Sequence, residues 1–229
     1  MSTPEPVRAC LFDAYGTLFD FNSAVSACPE VPADARPKLS EIWRAKQLQY
    51  TWLRGLMGRH ADFWKVTGAA LDYALDSVGL DIPGVHARLM GLYRELDCYP
   101  DVPAMLKTLK AAGMRTAILS NGTPEMLAAA VDHAGLSDVM DMVISVEEVG
   151  VFKPHPSVYR HAEDRLGLTA SEISFQSANA WDAQAAAAFG YRTVWINRTG
   201  APPERLPWPP DAVIPSLAAL PALVGAGAD

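Results

Sequence analysis

The fold is decided by the stretch VRACLFDAYGT, residues 7–17, near the start of the chain. Its first six residues are mostly apolar, which is typical of a short strand buried in a parallel sheet. Asp13 follows them directly, and Gly16 and Thr17 then break the pattern. We therefore predict a strand over residues 7–12 that delivers Asp13 to the carboxyl edge of a sheet.

Beyond Asp101 the apolar spacing alternates between helix and strand. It predicts helices over 102–112, 124–134, 156–166, 182–189 and from Ser216, and strands over 114–119, 142–145, 173–176, 191–196 and near Val213. This alternation is typical of a doubly wound parallel α/β sheet. The proline-rich residues 201–210 are predicted to be a surface linker, and the tail 225–229 is predicted to fray.

Residues 20–98 show helical spacing alone, over about 40–59, 63–78 and 84–96. We interpret 20–98 as an inserted helical cap domain, and 1–19 together with 99–229 as the catalytic core. The first cap helix is expected to pack through an apolar side made of Ile42, Ala45, Trp52, Leu53 and Leu56. By the same spacing, Met57, Met105 and Trp52 are expected to be packing residues.

Composition excludes several classes of protein. Lys and Arg number 19 against 26 Asp and Glu, a net charge of −7 without a basic run, which argues against nucleic-acid and membrane partners. The first residues do not resemble a signal peptide, no segment is apolar enough to span a membrane, and the three cysteines lack a C-x-x-C, so we expect a cytoplasmic protein. The absence of H-E-x-x-H and of glycine-rich phosphate motifs predicts no metal and no cofactor.

Polar side chains follow the predicted strands at their carboxyl ends, where ligands bind in open parallel sheets. They are Asp13, then Ser120 and Asn121, then Lys153, and finally Ser177, Asn179 and Asp182. A buried Asp13 needs a cation, and Lys153 is the candidate. The alternative is that Asp13 merely caps the turn at Gly16.

Four of these segments resemble, in order and position, the motifs of the haloacid dehalogenase superfamily: DAYGTL at 13–18, SNG at 120–122, FKP at 152–154 and SANAWD at 177–182. The stretch WRAKQLQYTWLR at 43–54 resembles the cap-helix signature of its L-2-haloacid dehalogenases. The resemblance covers about residues 7 to 200. It implies a Rossmann-like core with a helical cap.

Two departures separate the chain from the phosphatases of that superfamily. Tyr15 stands where those enzymes have a second Asp, which acts as acid and metal ligand, and the fourth motif has a single carboxylate, Asp182, instead of an acid pair. A phosphatase would lack its acid and part of its magnesium shell. Attack on carbon needs neither group.

The resemblance implies hydrolysis of short-chain 2-haloalkanoic acids to 2-hydroxy acids with inversion. Asp13 would form an aspartyl ester, Lys153 would keep Asp13 ionised, and Thr17 and Tyr159 would orient that pair. Asp182 would act as base in ester hydrolysis, with water positioned by Ser177 and Asn179. Tyr159 could instead be an ordinary core residue, and Asn179 could simply cap a helix.

The same resemblance assigns the substrate pocket. Ser120 and the main-chain amides near Ala14, Tyr15 and Asn121 would bind the substrate carboxylate. Arg44 would accept the halide between Asn121 and Trp181, although a surface charge is the alternative for this residue. An apolar wall would be formed by Leu48, Phe63, Tyr15 and Trp181, for which plain core packing is also open.

Three other functions stay open from the residues. A related carbon-attacking hydrolase that opens a strained-ring amino acid would use the same Asp13 and Asp182. A phosphatase without the usual second Asp, and a binding protein with an inactive site, are the others. Resemblance alone gives the preference for the L enantiomer and a homodimer assembled through cap helices, and the leaving halogen and chain length are not determined.

Overall fold

The computed structural model describes residues 6–226, which contain six β-strands and nine α-helices. The strands are β1 (Ala9–Phe12), β2 (Arg115–Ser120), β3 (Met142–Ser145), β4 (Ile173–Ser177), β5 (Arg192–Ile196) and β6 (Ala212–Ile214). The helices are α1 (Asn22–Ser26), α2 (Arg36–Leu56), α3 (Phe63–Val78), α4 (Val85–Leu92), α5 (Val102–Ala111), α6 (Pro124–His133), α7 (Pro156–Leu166), α8 (Ala180–Phe189) and α9 (Leu220–Leu223). The expectations for residues 1–5 and for the last three residues of the tail lie outside the described residues.

The strands form one parallel sheet in the order β3-β2-β1-β4-β5-β6. The predicted doubly wound α/β sheet is thereby confirmed. Strand order reverses between β1 and β4, and ligands bind in such sheets at the carboxyl ends next to the reversal. All four residues of β1 are buried, and Asp13 follows them at this point.

Local sequence sets the ends of the helices. Before α7 the His155 side chain accepts from the Ser157 amide, Pro156 occupies the first turn, and Gly167 ends the helix with a φ of 62°. The predicted bounds of α3 and α7 match the structure, and those of α5, α6 and α8 differ by one or two residues. Larger differences, of three or four residues at one end or both, occur for α2, α4 and the start of α9. The prediction missed α1, because five residues are too short for a periodic pattern.

Helices α1 to α4 form an insertion between β1 and α5, called here the helical insertion (residues 22–92). The two segments that connect the core to the helical insertion run side by side, because Phe19 and Cys98 form an antiparallel bridge. The Asp20 amide donates to the Asp97 carbonyl at 2.8 Å, and the Tyr99 amide donates to the Leu18 carbonyl at 3.0 Å. These contacts support the predicted domain boundaries, which stay a prediction.

The predicted packing side of α2 is wrong. The helix packs mainly against α3 and buries Leu39, Ser40, Trp43, Gln47 and Thr51. Of the five residues expected on the apolar side, only Ile42 packs against the core, and the other four are exposed: Ala45, Trp52, Leu53 and Leu56. Met57 is exposed as well, whereas Met105 is buried as predicted. A prediction from hydrophobicity alone chose the wrong face of α2, because the helix buries several polar side chains against the core.

Residues 201–210 form neither helix nor strand, which agrees with the predicted linker. None of the helices within residues 6–226 is long and apolar enough to cross a membrane.

Candidate active site

The Asp13 carboxylate is buried and receives four side-chain hydrogen bonds. Its Oδ2 accepts from Asn179 Nδ2 at 2.8 Å, Thr17 Oγ1 at 3.0 Å and Ser177 Oγ at 3.3 Å, and its Oδ1 accepts from Lys153 Nζ at 3.1 Å. The turn amide of Gly16 donates instead to the Phe19 carbonyl. The alternative of an Asp13 that merely caps this turn is therefore wrong.

Lys153 lies between two carboxylates. Its side chain is 1% exposed, and its Nζ is 3.1 Å from Asp13 Oδ1 and 2.9 Å from Asp182 Oδ2. Burial alone would lower the pKa of Lys153, but the two carboxylates together raise it above its ordinary value of 10.5. The site therefore contains an ammonium group at neutral pH.

Asp182 lies in the first turn of α8 and is fully buried. Its Oδ1 accepts a hydrogen bond from the Tyr159 hydroxyl at 2.7 Å, while Lys153 binds Oδ2. Burial raises the pKa of the Asp182 carboxyl above 3.8, an effect that the charge of Lys153 opposes. Asp182 is thus held by one neutral donor and one cation.

The predicted partners of Tyr159 need correction. Its hydroxyl contacts Asp182, not Asp13 or Lys153, so it orients the Asp13–Lys153 pair only through Asp182. Its ring also packs in the core near Phe175 and Phe189. Position in the sequence could not reveal this partner, because Tyr159 and Asp182 come from two different helices.

Asn179 stands at the N-cap position of α8, yet its side chain makes no capping hydrogen bond. The Nδ2 group donates to Asp13, and Oδ1 accepts from Arg44 Nη2 at 3.4 Å. The alternative of a simple helix cap is therefore wrong for this side chain. Asn179 connects the carboxylate of the core with the guanidinium of the helical insertion.

Ser177, Ser120 and Asn121 are all buried next to this cluster. Ser177 Oγ donates to Asp13 and accepts from the Asn179 amide at 3.1 Å. Ser120 Oγ accepts from the Gly122 amide at 3.1 Å, and Asn121 Oδ1 accepts from the Lys153 amide at 3.0 Å. The Asn121 bond fixes the loop after β2 against the Lys153 segment, and the Ser177 bonds fix the start of the loop after β4 against Asp13.

Arg44 reaches the core from α2. Its Nη2 donates to the Tyr15 carbonyl at 3.2 Å and to Asn179, and its Nη1 donates to Gln47 Oε1 at 2.7 Å. The residue is half-buried. A solvent-exposed surface charge, the alternative for Arg44, does not describe this geometry.

A small cavity of about 10 Å³ lies among these residues. Every residue predicted to bind substrate lines the cavity except Ala14, and four catalytic candidates line it as well, with Arg44 belonging to both groups. The lining consists of Asp13, Tyr15, Arg44, Leu48, Phe63, Ser120, Asn121, Lys153, Asn179 and Trp181. The remaining candidates Thr17 and Ser177 contact Asp13 directly, and Tyr159 contacts Asp182.

Tyr15 forms one side of the cavity. Its ring stacks on Tyr93 with centroids 5.4 Å apart and lies 5.8 Å from Phe63. Within residues 6–226 its buried hydroxyl has no hydrogen-bond partner. A Cβ atom on Gly122 would lie 2.9 Å from that hydroxyl, so only glycine fits at this position. The wall is therefore tightly packed.

Sequence reasoning missed Gln47, Thr67 and Tyr93 as neighbours of the site. Gln47 follows Arg44 by three positions on α2, and residues with this spacing are neighbours on one helix face, so a signal was present. Thr67 and Tyr93 gave no local signal, since they join Gln47 only through tertiary packing. In the described part of the chain, no group of three or more His, Cys, Asp and Glu side chains could hold a metal ion.

Known proteins are similar to this chain in sequence. A family model for haloacid dehalogenase-like hydrolases matches residues 7–190. The (S)-2-haloacid dehalogenase 1 of Pseudomonas sp. (strain CBS-3) is 48% identical over 96% of this chain and 97% of its own length.

Two solved structures share the fold. A dehalogenase with an intermediate complex has a TM-score of 0.93 and 44% identity, covering 96% of this chain and 97% of the other. The L-2-haloacid dehalogenase of Xanthobacter autotrophicus with chloropropionic acid covalently bound has a TM-score of 0.88 and 40% identity, covering 97% of this chain and all of the other.

Proposed function

The chain belongs to the haloacid dehalogenase-like hydrolases, and from that membership we propose that it is an (S)-2-haloacid dehalogenase. It converts short-chain 2-haloalkanoic acids to 2-hydroxy acids with inversion. One observation supports this most: Asp13, held by four donors, lines the same small cavity as the Arg44 guanidinium from α2. A nucleophile and an anion acceptor around one small cavity suit displacement of a halide from carbon.

In the first step an Asp13 oxygen attacks the carbon that bears the halogen. The carbon–oxygen bond of the ester forms as the carbon–halogen bond breaks, and the halide leaves with the bonding electrons toward Arg44. Asn121 and Trp181 flank the halide. Lys153 pairs its ammonium group with Asp13, and Thr17 holds the carboxylate in place.

In the second step water attacks the ester carbonyl of Asp13. Asp182 takes the proton of that water, and Tyr159 and Lys153 hold Asp182 in position. Ser177 and Asn179 orient the Asp13 group during attack. The bond between the Asp13 carbonyl carbon and the ester oxygen then breaks, and the product leaves with the Asp13 oxygen that attacked the substrate. That oxygen takes the proton from Asp182 to give the 2-hydroxy acid, and the water oxygen replaces it in the Asp13 carboxylate.

The substrate carboxylate binds to Ser120 and to the loop amides near Ala14, Tyr15 and Asn121. The alkyl group lies against an apolar wall formed by Leu48, Phe63, Tyr15 and Trp181. We propose that the reaction uses no metal or cofactor, since Lys153 and Arg44 supply the positive charges.

Halide release in EDTA tests this function. The wild-type enzyme is incubated with L-2-chloropropionate, D-2-chloropropionate and fluoroacetate, and we expect chloride from the L enantiomer. Single turnover in heavy-oxygen water should place the label first in Asp13, detected by mass spectrometry of its peptide. Asp13→Asn is the matched control and should release no halide; absence of release from every substrate by the wild type would contradict the function.

We also propose that the protein is a cytoplasmic homodimer. Four apolar residues at the end of α2 are exposed: Trp52, Leu53, Leu56 and Met57. Trp52 and Leu56 line a groove of about 540 Å³ together with Leu206 and Trp208. Exposed apolar patches of this kind are typical of interfaces. The free cysteines Cys10, Cys28 and Cys98 suit a reducing compartment.

A further inference from the structure

Gln47 is a buried amide that the proposed reaction does not use. It is 1% exposed and lies one helical turn after Arg44 on α2. Its Oε1 accepts from Arg44 Nη1 at 2.7 Å, which is shorter than the Arg44 contacts with Tyr15 and Asn179 at 3.2 and 3.4 Å. Burial of an amide is costly unless its hydrogen bonds are made, so this contact restrains Arg44 firmly.

The orientation of the Gln47 amide is fixed from the side opposite Arg44. Its Nε2 donates to Thr67 Oγ1 at 2.8 Å and to Tyr93 Oη at 3.1 Å. The single hydroxyl hydrogen of Thr67 is donated to the Phe63 carbonyl at 2.7 Å, so Thr67 can only accept from Gln47. The amide nitrogen must therefore face Thr67, and the amide oxygen must face Arg44.

The acceptors of Arg44 are all neutral in the described part of the chain. Gln47 and Asn179 contribute amide oxygens, and Tyr15 contributes a main-chain carbonyl. A carboxylate in place of Gln47 would hold the guanidinium as well, but it would form an ion pair and compete with a bound anion. A neutral acceptor restrains the group and leaves its positive charge uncompensated.

We infer that Gln47 is a positioning residue that fixes the Arg44 guanidinium toward the cavity while leaving its charge available to the departing halide. The inference rests on the proposed dehalogenase function. Negative charge grows on the halogen as the carbon–halogen bond breaks, and a preorganised donor stabilises that charge without reorienting. Gln47 thus acts on the first step of the reaction, through Arg44.

Two variants test this role. Gln47→Met keeps the length of the side chain and removes the acceptor, and Gln47→Glu keeps the shape and adds a negative charge. Thr51→Val is the matched control, because Thr51 is equally buried on α2 and its hydroxyl donates to the Leu48 carbonyl. Circular dichroism verifies that each variant is folded.

Rapid-quench kinetics with L-2-chloropropionate and L-2-bromopropionate separate ester formation from ester hydrolysis. We expect Gln47→Met to slow ester formation about tenfold with the chloro substrate and less with the bromo substrate, because bromide needs less stabilisation as it leaves. Gln47→Glu should slow this step further. Ester hydrolysis should keep its wild-type rate in both variants, and Thr51→Val should change neither step.

Binding of bromide, measured by isothermal titration, gives a readout that does not require turnover. The dissociation constant should rise about tenfold in Gln47→Met and more in Gln47→Glu. Equal slowing of both steps and both substrates, or unchanged bromide binding, would overturn the role of Gln47 while leaving the dehalogenase function intact. A wild type that releases no halide from any 2-haloacid overturns the proposed function itself.

Discussion

Two carboxylates share the ammonium group of Lys153, but their other neighbours differ. Asp13 faces the cavity and accepts from the side chains of Thr17, Ser177 and Asn179 through Oδ2. Asp182 lies behind it, fully buried, and burial raises the pKa of its carboxyl. These different environments suit the roles proposed for the two residues, nucleophile for Asp13 and base for Asp182.

Replacement of Tyr159 by Phe tests the role of Asp182. The Tyr159 hydrogen bond stabilises the ionised carboxylate and so lowers its pKa; its loss should raise that pKa further above 3.8. A smaller fraction of the Asp182 carboxyl is then ionised at acidic pH. The acid limb of the ester-hydrolysis rate, measured in single turnovers from pH 4 to 9, should move to higher pH.

The control for this change is Tyr191→Phe. Tyr191 is also a buried tyrosine, but its hydroxyl donates to the Tyr159 carbonyl at 2.6 Å and not to Asp182. The acid limb should therefore keep its wild-type position. An acid limb that does not move in Tyr159→Phe would mean that Asp182 is not the base.

Helix α2 has two different functional faces. Its inner face directs Arg44 and Gln47 toward the core, and its carboxyl-terminal end exposes Trp52, Leu53 and Leu56. The inner face is polar because it completes the site, and the exposed end is apolar. Such an inversion suits a helix that forms part of the candidate active site and of the proposed dimer interface.

We expect Leu56→Glu to convert the proposed homodimer to a monomer. Leu56 is 87% exposed, so the charge costs the isolated chain little. In a symmetric interface the change removes two leucine contacts, each contributing about 1.5–3 kcal/mol, and the dissociation constant should rise at least about a hundredfold. Sedimentation equilibrium measures this constant.

Leu223→Glu is the matched control, because Leu223 is also an exposed leucine but lies on α9. Its dissociation constant should equal that of the wild type. A monomeric wild type, or a Leu56→Glu variant that dimerises normally, would contradict the proposed interface.

The whole molecule buries many groups that ionise at alkaline pH. Burial raises the pKa of Cys10 to about 12 and that of Tyr99 to about 12, against ordinary values of 9.0 and 10.0. It also raises the pKa of Tyr191. The pKa of Lys153 is likewise above 10.5, because two carboxylates outweigh the effect of burial. The folded chain thus retains protons that the unfolded chain loses.

The free energy of unfolding should therefore decrease as the pH rises above about 9. Between the ordinary pKa of a group and its raised folded value, the unfolded state binds fewer protons, and stability falls by up to about 1.4 kcal/mol per pH unit for each group. Tyr191→Phe removes one such group and should give a shallower decrease above pH 10. Urea unfolding at pH 8, 10 and 11 measures both slopes; identical slopes would contradict this account.

Local patterns in the sequence determined the sheet, most helix bounds and the positions of Asp13 and Ser120 at strand ends. They also placed Lys153 and Asp182 in the segments that follow β3 and β4. These features depend on residues that are near one another in the chain, through side-chain periodicity and turn residues. The family resemblance added Arg44. Sequence alone could therefore predict the type of reaction and nearly all of the residues around the cavity.

Tertiary structure decided which groups touch. Tyr159 binds Asp182 and not Asp13, Asn179 binds Asp13 instead of capping α8, and Gln47 reaches Tyr93 across 46 positions of sequence. It also decided that α2 buries polar residues and exposes apolar ones. Hydrogen bonds are short and directional, so the partner of a side chain depends on distances that the packing of separate elements sets, and no local pattern encodes them.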